Sequence, residues 1–301
     1  MAQRITVIIN SNKVRPDDDK AVLVAAAFAA IGCEPFIEIA DGDRLAACAV
    51  TALQHGSTTV VDAGGDGTVS TIASTLVGRD AALGILPMGT LNHFARDMHI
   101  PRDLDAAVRV IAAGHRVAVD VGEVNGRFFI NNSSIGAYPN LVSERDRRLR
   151  RGLSKWRAHI LAAFQVWRQH RRVRLTLRED TGERRVRTPF LFVGNNEYEL
   201  EGTRFGLRRA LDRETLHVCM APGMSRAGAA KLIIAALLGR VHSVERFESH
   251  VTSALSLDAG HHTLPLSLDG EVAVLPLPLH YRIRPRALEV IAPDPADIPA
   301  T

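Results

Sequence analysis

At 301 residues, with 46% hydrophobic and 23% charged residues, the chain has the size and composition of a soluble globular protein of about two domains. Net charge of +4 and a pI near 9.2 lean weakly toward acidic surfaces. No run approaches the roughly 20 apolar residues of a membrane-spanning helix, and the apolar start at residues 5–9 is too short for a signal peptide. Cys33, Cys48 and Cys219 are scattered and lack CxxC spacing, which argues against zinc and for reduced thiols in a cytoplasmic chain.

The first part of the chain alternates. Residues 4–9 read as a strand and 19–31 as an alanine-rich amphipathic helix. A strand at 35–40 precedes a helix at 44–55, and a strand at 58–62 precedes a helix at 68–77. A strand at 82–86 and a helix at 102–113, closed by Gly114, complete the series. Strands separated by helices of this length imply βαβ units and a parallel sheet, with ligands held at the carboxyl ends of the strands. From about residue 119 the texture changes. Segments 117–124, 127–131, 173–178, 184–194, 215–220, 246–257 and 264–268 are short, alternating and bounded by turns, the pattern of an antiparallel β domain. Helical stretches at 141–169 and 225–238 interrupt it. A last strand-like segment at 279–283 leads to 287–291 and a proline-rich end.

The most informative motif follows the β-branched run Thr58-Thr59-Val60-Val61. It is Gly64-Gly65-Asp66-Gly67-Thr68, after which Val69, Ile72, Ala73 and Leu76 recur at helical spacing. Strand, glycine turn and helix N-terminus form a phosphate cradle. Glycine is expected to supply positive φ and close approach, and Thr68 to act as the N-cap. Asp66 would repel a bare phosphate, so a divalent cation or a nucleotide hydroxyl belongs between them. A plain strand-to-helix turn with a capping acid is the competing explanation, weakened by four special residues in five positions.

A second strand-end motif runs from Pro87 through Met88, Gly89, Thr90, Leu91, Asn92, His93 and Phe94 to Arg96. Thr90 and Asn92 offer neutral donors and acceptors suited to sugar or phosphate oxygens, although an ordinary helix start explains the segment equally well. The third motif is Leu268-Asp269-Gly270-Glu271. Asp-Gly is the strongest short hairpin signal. Acids at i and i+2 also fall on one side of the backbone, where repulsion can raise one pKa and create a base for a hydroxyl proton. Gly223-Met224-Ser225-Arg226 lacks the last glycine of a nucleophile elbow, and His261-His262 lacks further ligands at metal spacing. Neither a Walker A sequence nor G-x-G-x-x-G is present.

Residues 141–174 concentrate the positive charge, with Arg145, Arg147, Arg148, Arg150 and Arg151 at one end and Arg168, Arg171, Arg172 and Arg174 at the other. Trp156 and Trp167 lie between. A cationic helix carrying tryptophans suits an anionic membrane surface, although a solvated face with buried tryptophans is an equal alternative. No nucleic-acid motif accompanies the charge, so nucleic acid is not the expected partner.

The three motifs, in this order, resemble the diacylglycerol kinase catalytic family, which includes bacterial lipid kinases and, more distantly, sphingosine and ceramide kinases. The Gly-Gly-Asp-Gly-Thr loop is complete. The family's Pro-Leu-Gly-Thr-Ala-Asn-Asp-Phe-Ala-Arg segment matches residues 87–96 with Met88, Leu91 and His93 substituted. Residues 129–136 and 190–196 are also similar. The resemblance implies an α/β nucleotide-binding domain over 1–121, with the tail 280–301 returning to it, and a β-sandwich lipid-substrate domain over 122–279. ATP would lie between the domains on Asn10, Gly64, Gly65, Asp66, Gly67, Thr68, Gly89, Thr90 and Asn92. Asp66 would position Mg-ATP, while Asp269 and Glu271 would activate the lipid hydroxyl, Glu271 being the preferred base.

Three departures stand out. The family's Asn-Pro-x-Ser-Gly is reduced to Asn10-Ser11-Asn12. Ala40 replaces a threonine after the second strand. An Asp-Asp-Gly turn that holds a structural magnesium in some bacterial members reads Asp212-Arg213-Glu214, which leaves any metal ligands unassigned. The expected function is an ATP- and Mg²⁺-dependent lipid kinase, cytoplasmic and peripherally bound to membrane, with diacylglycerol the simplest substrate. The sequence leaves the oligomeric state open. An NAD kinase shares the glycine loop, and a nucleotide- or membrane-binding module without turnover is the non-enzymatic alternative.

Overall fold

The computed structural model describes residues 4–11, 20–42, 44–136, 172–200, 206–225, 228 and 247–297. The expected helix at 141–169, most of the one at 225–238 and most of the arginine-rich segment lie outside the described residues. The chain forms two units, Met1–Val121 with Pro285–Thr301, and Gly122–Arg284.

Unit 1 is built on parallel strands. β1 (Ile5–Asn10) lies between β2 (Phe36–Ala40) and β3 (Thr59–Gly64), and β4 (Ala82–Pro87) pairs with the far side of β3. The carboxyl-terminal part of β16 (Leu279–Ile291) adds to β4, again in parallel. β3 is buried along its whole length, as a strand covered on both faces must be. The helices sort into two packed pairs: α1 (Lys20–Ala29) with α5 (Leu104–Ala113), and α2 (Leu45–Gln54) with α3 (Asp66–Leu76). α5 shows why these residues form a helix. Asp103 caps its start by accepting from the Ala106 amide at 2.9 Å, and Gly114 ends it at φ +69°. Ala107, Val108 and Ile111, spaced to share a face, are buried.

Unit 2 is antiparallel. One sheet has the order β12 (Glu248–Thr252), β11 (Leu216–Met220), β10 (Phe190–Asn195), β7 (Asn132–Gly136), β14 (Thr263–Leu268), β15 (Glu271–Pro276). The other joins the first part of β16 to β13 (Ala254–Asp258), β8 (Val173–Glu179) and β9 (Gly182–Thr188), with the last residues of β5 (Arg116–Val124) and β6 (Arg127–Phe129) alongside. Leu191, Val193, Val218 and Leu266 of the first sheet share one core with Leu175, Leu257, Leu279 and Tyr281 of the second. Fold class is therefore as expected: a parallel α/β part and an antiparallel sandwich.

Two expected strands turn out to be pairs. Segment 184–194 breaks at Pro189, which has no N–H for a ladder, into β9 and β10. Segment 246–257 breaks at Ser253 into β12 and β13. In both cases the chain leaves one sheet and enters the other, so one continuous strand-like segment serves two layers. Conversely, 279–283 and 287–291 form one strand, β16, bent where Arg286 takes φ +46° and donates its amide to Asp120 Oδ1 at 2.9 Å. β15 is the second arm of the hairpin that Asp269-Gly270 signals, whereas β7 was not expected: it begins Asn-Ser-Ser, yet Ser133 is buried with its hydroxyl 2.9 Å from that of Tyr281.

Candidate active site

At the carboxyl ends of β1, β3 and β4 the first two motifs meet. α3 begins at Asp66, with Gly65 as its N-cap (φ −127°, ψ −175°). Thr68 is therefore not the cap but sits within the first turn, nearly fully buried. Its hydroxyl accepts from the Asn10 side-chain amide at 3.0 Å, which ties the end of β1 to the loop. The amides of Thr68 and Val69 both bond the Gly65 carbonyl, at 2.8 and 3.0 Å. Those of Asp66 and Gly67, at the helix start, are donors that the helix cannot satisfy internally.

The expectation of positive φ in this loop is not met, because none of Gly64, Gly65 and Gly89 lies in that region. At Gly64 and Gly89 proximity is what demands glycine. A Cβ on Gly64 would stand 2.7 Å from Thr68 Oγ1, and one on Gly89 would stand 2.6 Å from the Gly65 Cα. The two loops touch backbone to backbone, and no side chain fits between them.

Asn92 holds the second loop. It adopts a left-handed conformation (φ +50°, ψ +51°) and is nearly buried. Its Oδ1 accepts from the Gly89 amide at 3.0 Å, and its Nδ2 donates to the carbonyls of Gly89 at 2.9 Å and Pro87 at 3.2 Å. Asn92 thus shapes the loop with its whole amide. Asp66 Oδ1 then accepts from the His93 amide at 2.6 Å, at the start of the short helix α4 (His93–Asp97). Thr90 is exposed. The structure brings Asn10, Gly64, Gly65, Asp66, Thr68, Gly89 and Asn92 into one constellation. A nucleotide phosphate fits such a glycine cradle with its free amides. Among the described residues no three His, Cys, Asp or Glu side chains form a ready metal cluster. Of the residues gathered here Asp66 offers the one carboxylate, the oxygen-donor chemistry that a magnesium ion carried by nucleotide phosphates would accept.

In unit 2, Asp269 and Gly270 (φ +47° and +92°) form the two-residue turn between β14 and β15, with Leu268 opposite Glu271. This is the type I′ geometry that Asp-Gly favours. The turn is also anchored. Asp269 Oδ2 accepts from the Ile130 amide at 2.8 Å, and Oδ1 accepts from the amides of Asn131 and Asn132 at 2.8 and 2.9 Å. The Asp269 amide returns a bond to the Asn132 carbonyl at 2.9 Å. Glu271 by contrast is exposed, and no hydrogen-bond or ion-pair partner meets it among the described residues.

The segment that Asp269 grips is held from its other side by a residue the sequence did not single out. Arg208, nearly buried, donates from Nη1 to the Ile130 carbonyl at 2.6 Å and from Nη2 to Asn131 Oδ1 at 2.9 Å. Its guanidinium lies 5.3 Å from the centre of the Tyr198 ring. Asn195 Nδ2 adds a bond to the Ile130 carbonyl at 3.0 Å. Segments 129–136 and 190–196, noted for their family likeness, are thus partners, strands β7 and β10 pairing directly. The only sequence signals were the Asn131-Asn132 and Asn195-Asn196 doublets. At the departure Asp212-Arg213-Glu214, the Arg213 amide bonds Asn196 Oδ1 at 2.9 Å, and the three side chains are exposed.

Residues 4–124 match the family model described as the diacylglycerol kinase catalytic domain. A diacylglycerol kinase of Staphylococcus saprophyticus is 31% identical over 134 residues, 44% of this chain and 44% of that protein. One of Staphylococcus aureus strain JH9 is 32% identical over 131 residues, 43% of this chain and 41% of that protein. The matched stretch thus spans less than half the length of these relatives. A solved structure from Bacillus anthracis strain Sterne, described as a candidate diacylglycerol kinase, superposes with TM-score 0.76 at 19% identity, covering 98% of this chain and 97% of that one. A second, described as a diacylglycerol kinase from the same organism, gives TM-score 0.68 at 19% identity and covers 98% of each chain. These structures share the fold along nearly the whole chain.

Proposed function

We propose, from the match of residues 4–124 to the diacylglycerol kinase catalytic domain model, that the chain is an ATP-dependent lipid kinase, acting most simply on diacylglycerol. The observation that carries this reading is the backbone contact between the Gly64–Gly65 loop and Gly89, locked by the bond from the His93 amide to Asp66. Phosphoryl transfer asks for in-line positioning and neutralised charge more than for covalent chemistry. The Asp66 and Gly67 amides supply donors for phosphate oxygens. Asn10, Thr68 and Asn92 keep the two loops in place. Magnesium carried by ATP would neutralise phosphate charge, with Asp66 as its protein ligand.

Glu271 is the residue we assign as base. It would take the proton of the lipid hydroxyl as the oxygen attacks the γ-phosphorus and the bond to the β–γ bridging oxygen breaks, ADP leaving with that oxygen. Its carboxylate is exposed and uncommitted, whereas both oxygens of Asp269 are engaged by amides. Asp269 is then a positioning residue that fixes the hairpin from which Glu271 projects.

Among the described residues no helix is long and apolar enough to cross a membrane. Access to a bilayer substrate is assigned to the basic segment 141–174, which would bind anionic lipid peripherally at the cytoplasmic face.

Incubation with labelled Mg-ATP and a total lipid extract tests the reading. A labelled phosphatidate that depends on Mg²⁺ and vanishes in Asp66→Asn and Glu271→Gln is expected. Phosphorylation of NAD with no lipid product would overturn it.

A further inference from the structure

Unit 1 holds a second concavity, lined in part by Pro87 and Asn92. It is a groove of ≈ 990 Å³ between α4, α5 and the chain that follows β16. Its size is that of a ligand site rather than of an ion site, since pockets for organic ligands run from about 300 to 1,000 Å³. One wall is a stripe of α5: Ala106, Arg109, Val110 and Ala113 recur at i, i+3, i+4 and i+7. The opposite stripe of the same helix, Ala107, Val108 and Ile111, is already buried in the core. The groove stripe is therefore not part of the fold's own packing.

The lining is mainly apolar, with a group of basic side chains. Ile100, Pro101, Val110 and Ala292 supply the apolar surface. Arg96, Arg102 and Arg109 supply fixed positive charge, and His99 and His115 imidazoles, against a single acid, Asp294. Neither Arg102 nor Arg109 has a hydrogen-bond or ion-pair partner among the described residues. His115 Nδ1 is out of reach of solvent and also lacks a partner among them. Unpaired guanidiniums beside an unsatisfied ring nitrogen, all on one groove, match the oxygens of a phosphate monoester, which arginine binds with two parallel bonds. Inorganic phosphate would leave most of the volume and the apolar lining unused.

We propose that this groove binds a lipid phosphomonoester, the phosphate on Arg102 and Arg109 and the first part of the acyl chains along Ile100, Ala106 and Val110. The groove shares Pro87 and Asn92 with the second loop, but Asn10, Gly64, Gly65, Asp66, Thr68 and Gly89 are not among its lining residues. The inference rests on the groove alone and does not require that the chain be a kinase.

The test is calorimetric titration of the nucleotide-free protein with dioctanoyl phosphatidate below its micelle concentration. Parallel arms use inorganic phosphate, dioctanoylglycerol and an excess of Mg-ATP. Wild type should bind the phosphatidate, and Arg102→Gln/Arg109→Gln should bind it at least ~10-fold more weakly, the loss expected for charge-assisted bonds. Both arginines are exposed, so an unchanged melting curve is the control for folding. Ala113→Phe, which fills the apolar side without changing charge, should also weaken binding. Equal affinity in wild type and the double variant overturns the site. Inorganic phosphate binding as tightly as the lipid reduces it to an anion site and overturns the lipid assignment. Competitive displacement by Mg-ATP merges it with the nucleotide site and overturns its independence. No arm involves turnover, so an absence of kinase activity leaves the result readable.

Discussion

Replacing Asp269 and Glu271 one at a time separates a structural carboxylate from a chemical one within three residues. In Asp269→Asn, the remaining carbonyl oxygen can still accept from Asn131 and Asn132, but the new NH₂ faces the Ile130 amide, donor against donor. A hydrogen bond to a charged acceptor contributes roughly 1.5–3 kcal/mol, and an unsatisfied buried donor costs about 1–3 kcal/mol. One such bond is lost outright and two lose their charge assistance. Asp269→Asn should therefore destabilise unit 2 by about 2–3 kcal/mol. Glu271→Gln removes charge from an exposed side chain without partners, and surface changes of this kind stay within about 0.5 kcal/mol.

Activity should run the other way for Glu271. Loss of a general base costs ~100-fold or more in kcat, with KM for ATP unchanged. Urea unfolding followed by tryptophan-independent circular dichroism gives the stabilities, and a mixed-micelle assay gives kcat. If Glu271→Gln turns over at the wild-type rate, the segment is only a hairpin and the base lies elsewhere. If Asp269→Asn is as stable as wild type, the amide clamp has been overvalued.

Asp66→Asn keeps an oxygen for the His93 amide, so it should fold normally, yet lose ~100-fold or more in kcat as electrostatic preorganisation goes; normal turnover would refute the nucleotide-loop assignment. Gly89→Ala puts a Cβ 2.6 Å from the Gly65 Cα and should cost at least about 2 kcal/mol in thermal or urea melts while abolishing ATP binding. Burial alone would raise the Glu123 carboxyl, but hydrogen bonds from Arg282 and Arg284 outweigh it and hold the group below the ordinary carboxylate value. A depressed pKa makes the stabilisation complete above that ordinary value and lost as pH falls through the folded one, so the gap in urea midpoint between wild type and Glu123→Gln should shrink in acid. Replacing Arg147, Arg148, Arg150 and Arg151 by glutamine should weaken sedimentation with anionic liposomes, each arginine contributing on the order of 1 kcal/mol at low salt, while micellar substrate is still phosphorylated.

Much of unit 1 was legible because its signals are local. Period-2 and period-3.6 patterns alternate, and Asp103 and Gly114 mark the ends of α5. Unit 2 was legible as a class but not strand by strand. A strand that passes from one sheet to the other keeps its hydrophobic pattern, so nothing in 184–194 or 246–257 announces the crossing except Pro189. β7 was hidden for the opposite reason. Its Asn132, Ser133 and Ser134 look like loop, and only long-range partners such as Tyr281 and Asp269 make them a strand. The site divides in the same way. Glycines and acids within one short segment were readable, but Arg208 bonds residues more than 70 positions away and carries no local signature. The loop glycines were recognised for the wrong reason, since sequence shows that a residue lacks Cβ but not whether dihedral or contact demands it.

Asp66 and Asp269 share a device. Each anchors itself by accepting from backbone amides of a different segment, His93 for the first and Ile130 to Asn132 for the second. The consequences differ because the number of bonds differs. Asp66 commits one oxygen, Oδ1, and no partner meets Oδ2 among the described residues. One oxygen sets the orientation of the carboxylate, which leaves the other open to the cation proposed above, as a second partner orients a metal ligand. Asp269 commits both oxygens, so its negative charge is spent on fixing backbone. A reactive carboxylate must keep lone pairs free and still be held still. In this hairpin those two requirements fall on different residues, Asp269 providing the hold and Glu271, two residues on, the free lone pairs.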